Sequence, residues 1–347
     1  MKKAKIGSIA TLIFARNEAR VIGETVESVF SALGPKDALY VIADNCRDDT
    51  ADIAKAAGAE VFIRTGKTDS SKGDALAWFL SRHQSDLRRY DFLLVLDADS
   101  KIKIDFFENI RANQPEQGVA FQCFIYPLYG DQSPLGKLAA LSYLLDHYIS
   151  DRLRTALGWP VRLRGTGMLI KPGIFCGLND QLETKVEDIA LSLLLTKEGV
   201  HIGRIDEALV YDPIPDTSAA TTRQRARWFR GQWHAIWLYR SEIASIVVKG
   251  PAGWSLLFSL FLKPRWLVLI TSLVLALGLS RWLWLSLFFW GYVLFSFFYV
   301  LIGLMIIPER GVFLRAFLHL PAYVGMWVRS IFLSLQSSSW LDARKKE

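Results

Sequence analysis

The sequence predicts an α/β protein with a doubly wound, mostly parallel sheet in its first 240 residues and a helical membrane segment after it. Two observations support this. Short apolar runs alternate with helical patterns between residues 8 and 100, as in a sheet covered by helices. The chain of 347 residues is 51% hydrophobic, and its long apolar runs concentrate after about Trp254. Apolar runs of that kind are typical of membrane helices.

The most informative strand is predicted at Phe92–Leu96, where five apolar residues follow one another without alternation. A continuous apolar run indicates a strand that is buried on both faces. Asp97 and Asp99 follow directly and must emerge at the carboxyl edge of the sheet, because unpaired buried charges are costly. Two carboxylates at such an edge could share a Mg²⁺ ion with phosphate oxygens, although an acidic turn needs only common turn residues and is the simpler explanation of the spacing alone.

The other elements are placed by the same patterns. A basic start and a short apolar run resemble a signal peptide, but no small-residue cleavage site follows, so we predict a first strand instead. Helices are expected at 20–33, before Gly58, at 73–83 and at 133–157. The last of these is amphipathic and is expected to be an interfacial helix, with a core helix as the alternative. The predicted strands are 8–14, 39–43, 60–64, 92–96, 119–126 and 161–170.

Three polar clusters lie near the ends of these strands. Asp44 can accept hydrogen bonds from a base or a ribose, or it can belong to a helix N-cap. Lys72-Gly73-Asp74 joins a loop to a helix start, which is a natural anion site, although a solvated lysine also fits. The cluster after the first strand, Arg16-Asn17-Glu18, is weak evidence by itself.

Later segments add further polar groups. Gly165-Thr166-Gly167 allows a ligand to approach the backbone closely. Glu187 and Asp188 open a helix, where acidic residues are common in any case. Gln224 and Trp228 lie one helical turn apart with Arg227 beside them, so a diphosphate and a sugar ring could both be bound. A basic, Trp-rich interfacial helix over 224–246 explains the same residues.

The membrane segment is predicted at 254–335. Spans are expected at about 258–279 and 282–307, and 312–335 is interpreted as an interfacial or re-entrant helix, with a third span as the alternative. Residues 336–347 form a basic tail. The net charge of +7 comes without a nucleic-acid motif, so an anionic membrane surface explains it better. Three dispersed cysteines fit a reduced cytosolic setting for the first domain, 1–240.

Taken together, these motifs resemble the membrane-bound family 2 glycosyltransferases, the inverting GT-A group that includes cellulose, chitin and hyaluronan synthases and glucosylceramide synthase. Their joint occurrence in this order is far more specific than any one of them. Two departures are Ala43, where many members carry an acid, and the small membrane part. The segments that carry the resemblance are Phe14-Ala15-Arg16-Asn17-Glu18, Ala43-Asp44-Asn45-Cys46-Arg47-Asp48-Asp49-Thr50, Lys72-Gly73-Asp74, Asp97-Ala98-Asp99, Gly165-Thr166-Gly167, Glu187-Asp188 and Gln224-Arg225-Ala226-Arg227-Trp228.

The resemblance implies a nucleotide-diphosphate sugar donor, most often a UDP-sugar, and Mg²⁺ or Mn²⁺ on Asp99 and Asp97. It implies Asp188 as the general base and Arg227 on the diphosphate. Residues Gly165, Thr166, Gly167, Glu187 and Trp228 are expected to face the acceptor. The donor site is expected to comprise Ala15, Arg16, Glu18, Asp44, Lys72, Asp74, Asp97, Ala98, Asp99, Gln224, Arg227 and Trp228.

The expected reaction is the transfer of one or a few sugars to a membrane-held acceptor, a lipid or a lipid-linked glycan. Two or three spans cannot wall a polar channel for a polymer within one copy, so a processive synthase would need a homo-oligomer. A catalytically silent subunit of an exopolysaccharide machine is the other alternative. A nucleotidyltransferase would need a glycine-rich loop that Phe14–Glu18 lacks. We expect an integral membrane protein with a cytosolic catalytic domain, in a bacterial inner membrane.

Overall fold

A computed structural model describes residues 7–66, 70–113, 118–130, 133–182, 184–215, 217–261, 265–308 and 310–336. The chain forms two compact units. The first comprises Met1–Tyr126, Gly158–Pro213 and His234–Gly253, and the second comprises Pro127–Leu157, Ile214–Trp233 and Trp254–Glu347. The predicted basic tail lies outside the described residues, except for Gln336.

The first unit is built on an eight-stranded sheet with the order β3-β2-β1-β4-β7-β6-β8-β5. The first four strands in this order run parallel, whereas β7 is antiparallel to β4 and to β6. This is the doubly wound, mostly parallel sheet that the sequence predicts. The strands are β1 (Ile9–Ala15), β2 (Ala38–Asp44), β3 (Glu60–Arg64), β4 (Phe92–Asp97), β5 (Lys101–Ile102), β6 (Ala120–Leu128), β7 (Met168–Ile170) and β8 (Ile202–Pro213).

Hydrophobic cores cover both faces of this sheet. Along β4, Leu94 and Leu96 belong to one core cluster, and Leu93 and Val95 belong to the other. Successive side chains of a strand point to opposite faces, so a strand between two cores must be apolar at every position. The unbroken apolar run of the sequence is thereby explained.

Most helices pack on the sheet or form the apolar second half of the chain. Helix α3 begins with a capping box in which Ser71 and Asp74 satisfy each other's backbone amides. A π-helical stretch, Asp146–Asp151, links α5 to α6, so the predicted helix 133–157 is continuous but not uniformly α-helical. The helices are α1 (Ile22–Phe30), α2 (Thr50–Ala56), α3 (Lys72–Leu87), α4 (Phe106–Asn113), α5 (Pro134–Leu145), α6 (Arg152–Ala156), α7 (Pro172–Gly177), α8 (Glu187–Lys197), α9 (Ser218–Leu238), α10 (Arg240–Val247), α11 (Pro251–Phe261), α12 (Arg265–Gly278), α13 (Leu283–Ile306), α14 (Arg310–Leu314) and α15 (Leu320–Leu335).

The predicted strand at 161–170 is too long. Only Met168–Ile170 forms a strand, because Gly165 and Gly167 have φ values of +85° and +64°, which no β-strand accommodates. The preceding residues form a loop that carries the Gly165-Thr166-Gly167 motif. The glycines therefore shape a turn beside the sheet.

The second unit contains the apolar helices. Among the described residues, Leu283–Ile306 and Arg310–Leu335 are long and apolar enough to cross a membrane. The predicted span at 258–279 is divided between α11 and α12, whose axes differ by 102°, so it forms a third crossing only if this bent pair counts as one. Residues 312–335, interpreted as interfacial or re-entrant, therefore also meet the length and composition of a span.

Candidate active site

Three strand ends bring predicted site residues to one edge of the sheet. The register pairs Ala15 of β1 with Ala43 of β2, and Phe14 of β1 with Asp97 of β4. Asp44 and Asp97 therefore emerge on either side of the end of β1. This is the arrangement that the sequence predicts, since parallel strands end at a common edge where ligands bind.

Asp44 is buried in a network of cations and hydroxyls. Its carboxylate forms ion pairs with Arg16 and with Nη1 of Arg64, the latter at 2.6 Å, and it accepts a hydrogen bond from Ser70 Oγ at 2.8 Å. Arg16 also donates to the carbonyl oxygen of Ser70 at 2.7 Å. These ion pairs and hydrogen bonds hold the Asp44 carboxylate in one position. Arg64 and Ser70 were missed from the sequence because neither belongs to a recognisable motif.

The backbone beside this network is unusual. Asn17 and Asn45 have φ values of +53° and +51°, a region that non-glycine residues rarely adopt outside functional turns. Their side chains hold the turns, because the Oδ1 of Asn17 accepts from the Arg47 amide and the Oδ1 of Asn45 accepts from the Gly66 amide, each at 2.8 Å. The two turns that follow β1 and β2 are therefore held by side-chain hydrogen bonds.

Three residues predicted for the sugar-donor site, Ala15, Glu18 and Ala98, lie at or shortly after the ends of β1 and β4. Ala15 and Ala98 are buried, at 2% and 5% exposure. The carbonyl oxygen of Ala98 accepts from Thr25 Oγ1 at 2.8 Å, and the Glu18 amide donates to Thr50 Oγ1 at 2.8 Å. These contacts hold the ends of β1 and β4 in place.

Lys72 connects three segments of the first unit. Its ammonium lies 2.5 Å from Asp97 Oδ1, 2.8 Å from the carbonyl oxygen of Gly165 and 3.6 Å from Glu187 Oε1. Burial lowers the pKa of Lys72, but the charges of Asp97 and Glu187 outweigh it and raise that pKa overall. Lys72 therefore stays charged and holds the acidic groups together.

The two residues after Lys72 explain its position. A Cβ at Gly73 would lie 2.2 Å from the Thr184 carbonyl oxygen and 2.5 Å from that of Leu182, so only glycine permits this approach. The Asp74 carboxylate accepts from the Ser71 amide at 2.6 Å and caps α3. Asp74 thus helps to hold the start of α3, which carries Lys72. A contact between Asp74 and the sugar donor stays a prediction.

Asp97 and Asp99 are joined by a third carboxylate, Asp212. One oxygen from each lies within 4.8 Å of the others, and such a group can hold a metal ion. Strand β5 explains the meeting, because it follows the Asp97–Asp99 turn immediately and pairs with β8, with Lys101 opposite Tyr211. Asp212 was missed from the sequence. The available signal was an apolar run, Ala208–Tyr211, that ends in an acid.

The chemistry of this carboxylate cluster suits a hard divalent cation. Burial, and then the charges of Asp99 and Asp97, raise the pKa of Asp212 well above its ordinary value. Ser100 donates to Asp212 Oδ1 at 3.3 Å, which only partly compensates. Three carboxylates held this close repel one another unless a cation sits among them, and oxygen ligands are those that Mg²⁺ and Mn²⁺ prefer. The residues therefore fit the metal that the sequence implies.

Glu187 and Asp188 open helix α8 beside the lysine. Burial raises the pKa of Glu187 to about 7, with Lys72 opposing and Asp188 reinforcing the shift. Burial also raises the pKa of Asp188, against a hydrogen bond from the Ile189 amide and the charge of Arg162. A carboxylate with a raised pKa in a buried acidic site is well suited to accept a proton near neutral pH.

The Gly165-Thr166-Gly167 loop is held against the acidic groups. The hydroxyl of Thr166 accepts from the Asp97 amide at 3.1 Å. Gln122, which is buried and was not predicted, donates to the Thr166 carbonyl at 2.8 Å and accepts from the Arg164 amide at 2.8 Å. The loop is thereby positioned beside Asp97, and its part in acceptor binding stays a prediction.

The remaining predicted residues, Gln224, Arg227 and Trp228, lie on α9 in the second unit. Trp228 is 38% exposed. Their neighbour Arg225, which no motif position marked, is 3% exposed and lies over the ring of Trp327 at 4.0 Å. Arg225 also donates to the Tyr323 hydroxyl at 3.1 Å. This segment of α9 is thereby anchored to α15.

A parallel-rich α/β sheet with an acidic edge is consistent with the GT-A fold. The family model described as "Glycosyltransferase like family 2" matches residues 7–231, and the chain belongs to this family. The match extends over Asp212 and over the segment Gln224–Trp228. The chain is therefore a family 2 glycosyltransferase, as its motifs indicate.

Among curated relatives, the chain is similar to poly-beta-1,6-N-acetyl-D-glucosamine synthase of Staphylococcus epidermidis, at 24% identity over 271 residues, which are 77% of this chain and 64% of that protein. The same synthase of Staphylococcus aureus (strain COL) is 24% identical over 275 residues, with the same coverage. The chain thus spans less than two thirds of the length of these relatives.

A solved structure shares the fold. It is the mannosyltransferase PcManGT from Pyrobaculum calidifontis, determined in complex with GDP-Man and Mn²⁺. The TM-score is 0.53 at 13% identity, with 94% of this chain and 84% of that chain covered. At this identity the likeness supports the GT-A fold alone.

Proposed function

We propose that this protein is an inverting glycosyltransferase that moves a sugar from a nucleotide-diphosphate sugar to a hydroxyl of a membrane-held acceptor. The observation that carries the proposal is the meeting of Asp97, Asp99 and Asp212 next to Lys72, which itself contacts Glu187. The carboxylates of Asp97, Asp99 and Asp212 give this edge of the sheet an excess of negative charge. A divalent cation would offset that charge and would in turn attract a diphosphate.

In the proposed reaction, the acceptor oxygen attacks the anomeric carbon while the bond from that carbon to the diphosphate oxygen breaks. Asp188 takes the proton of the acceptor hydroxyl, and the nucleoside diphosphate leaves with the bonding electron pair. A carboxylate base within hydrogen-bond reach contributes roughly 10²–10⁴-fold to the rate. One displacement needs no covalent nucleophile.

Asp97, Asp99 and Asp212 would hold the cation, Mg²⁺ or Mn²⁺. When bound, it neutralises charge on the leaving diphosphate. Lys72 orients Asp97 and fixes the Gly165 loop. In this proposal Arg227 binds the same diphosphate through its planar guanidinium, and Trp228 offers a flat surface to the acceptor sugar.

The donor that we propose first is a UDP-linked N-acetylhexosamine. The support is the similarity to poly-beta-1,6-N-acetyl-D-glucosamine synthases, which is modest at 24% identity. The membrane-held acceptor is supported by the two candidate spans, Leu283–Ile306 and Arg310–Leu335. With these helices in a membrane, the acceptor would be held in that same membrane.

The test is release of nucleoside diphosphate by the purified full chain in detergent. A panel of UDP- and GDP-sugars is assayed with and without native lipid extract, and with Mg²⁺, Mn²⁺ or EDTA. We expect release that requires both a divalent cation and lipid, and Asp188→Asn should reduce it at least 100-fold while UDP still binds. As a control, Asp180→Asn changes an acid of a short helix that follows α7. Full activity of Asp188→Asn would refute the base assignment.

A processive synthase remains the second candidate, because the named relatives are synthases of a polymer. Polymer export through the bilayer requires a walled polar path, since sugar hydroxyls need partners in lipid. Two or three candidate spans among the described residues cannot wall such a path within one copy, so this function would require a homo-oligomer. Product length on a sizing gel decides between the candidates.

A further inference from the structure

The second unit carries basic residues, among them Arg315 and His319, in the first ten positions of the candidate span Arg310–Leu335. The candidate span Arg310–Leu335 is interrupted by a 3₁₀ segment, Arg315–His319, between α14 and α15. Ionisable groups inside a span are costly, so they usually mark a ligand site or a polar path. A 3₁₀ stretch within a helix often marks a functional position as well.

This 3₁₀ segment packs against helix α5. Ala316 is 2% exposed and shares a hydrophobic cluster with Leu138 and Ala139 of α5. Phe313, one turn earlier, is fully buried against the ring of Tyr129, with the ring centroids 5.9 Å apart. The apolar side of the segment is thus fixed, and Arg315 and His319 remain exposed on another side.

A cavity of about 390 Å³ opens between α5 and this segment. That volume lies within the range of small-molecule sites. Three of its lining residues have basic side chains, and none of the described lining residues is acidic. Its described lining consists of Pro134, Lys137, Gly311, Val312, Arg315, Ala316 and His319.

The cavity also faces the start of α5. Helix α5 begins at Pro134, and the hydroxyl of the N-cap residue Ser133 accepts from the Gly136 amide at 3.0 Å. The amino end of a helix carries partial positive charge. Lys137, in the first turn, adds a full charge. The site therefore combines a helix end, an ammonium group, a guanidinium and an imidazole around one opening with apolar walls.

We propose that this cavity binds the phosphate headgroup of an anionic membrane lipid. Basic pockets among membrane helices recognise such headgroups, and the apolar walls of Pro134, Val312 and Ala316 suit the adjoining glycerol and first acyl carbons. The proposal requires that the candidate span lies in a membrane. It is independent of the proposed sugar transfer, because none of the lining residues belongs to the candidate active site.

The experiment measures lipid binding to the full chain in neutral detergent micelles. The chain is titrated with dioleoyl phosphatidylglycerol, with dioleoyl phosphatidylcholine and with inorganic phosphate, and the melting temperature is followed by light scattering. We expect saturable stabilisation by phosphatidylglycerol alone. Arg315→Gln should weaken the apparent affinity about tenfold, and the double variant with Lys137→Gln about a hundredfold, as expected for charge-assisted hydrogen bonds.

Arg329→Gln is the matched control, because it removes the same charge from the same candidate span at an exposed position outside the cavity. It should bind phosphatidylglycerol like the parent. Arg315→Lys keeps the charge and should retain most of the affinity, which separates binding from folding. The proposal is overturned if phosphatidylcholine or free phosphate stabilises the chain equally, if Arg329→Gln weakens binding as much as Arg315→Gln, or if no lipid stabilises it.

Discussion

Replacing Asp212 by asparagine removes one charge from the carboxylate cluster with almost no change in shape. The ligand oxygens lie within 4.8 Å of one another. A pair of like charges at that distance costs about 1 kcal/mol in water and about 3.5 kcal/mol at an effective dielectric constant of 20. Asp99 is exposed and the Asp97 side chain is 40% exposed, so the lower value is closer. We expect the metal-free variant to be about 1–3 kcal/mol more stable than the parent.

The stability difference between the Asp212→Asn variant and the parent depends on pH. Burial and the neighbouring charges raise the pKa of Asp212 in the folded protein above its unfolded value. Between those two pKa values the folded protein binds more protons than the unfolded chain, so its stability falls as the pH rises. The gain from Asp212→Asn should therefore be present at pH 8 and nearly absent at pH 4.

When the metal is present, Asp212→Asn should be unfavourable, because the variant binds the ion more weakly. Loss of one anionic ligand should weaken Mn²⁺ binding at least 10–100-fold, since even partners that only orient ligands have effects of that size. Melting scans at both pH values, in EDTA and in MnCl₂, measure both changes. Glu207→Gln, at an exposed position of β8, is the matched control. A variant that melts lower in EDTA at pH 8 and still gains stability from Mn²⁺ would refute this reasoning.

Three further outcomes are expected. Gly73→Ala should reduce nucleotide release more than 100-fold, because the added Cβ would clash with backbone carbonyl oxygens. Gly177→Ala is the control and should leave the rate unchanged, because its Cβ would meet nothing within 4 Å. Equal effects of the two substitutions would contradict this explanation. In a pH profile, kcat/KM should rise with pH through an apparent pKa above that of an ordinary aspartate and then level off, because the proposed base Asp188 acts deprotonated and burial raises its pKa; a profile with no such rise would contradict this. Asp146→Leu should lower the free energy of unfolding by about 2–4 kcal/mol, because it removes the carboxylate that pairs with Arg265. Adding Arg265→Leu to this variant should recover part of that loss. Strictly additive effects of the two substitutions would contradict the ion pair.

The sequence alone predicts the parts of the site that lie at the ends of the parallel strands. Strand β4 is apolar at every position because it lies between two cores, and Asp97 follows it at the sheet edge. The alternation of strands and helices predicts a parallel sheet, and the common carboxyl edge of its strands brings Asp44 and Asp97 near the end of β1. Local composition and parallel topology therefore predict this half of the site.

The parts that the sequence did not reveal depend on pairing between distant segments. Asp212 reaches the cluster only because the two-residue strand β5 pairs with β8, and nothing in the local pattern of β5 indicates that partner. Gln122 and Arg64 act through side-chain contacts that no spacing rule describes. The predicted strand at 161–170 was too long because apolar composition outweighed the glycine residues, whose positive φ values end it.

The most direct test of the account is the position of the metal. Crystals of the full chain grown with Mn²⁺ and UDP would give an anomalous difference map at the manganese edge. The account predicts one strong peak bounded by Asp97, Asp99 and Asp212, with the diphosphate on its open side. A peak elsewhere, or a bound UDP whose diphosphate lies away from these three carboxylates, would contradict it.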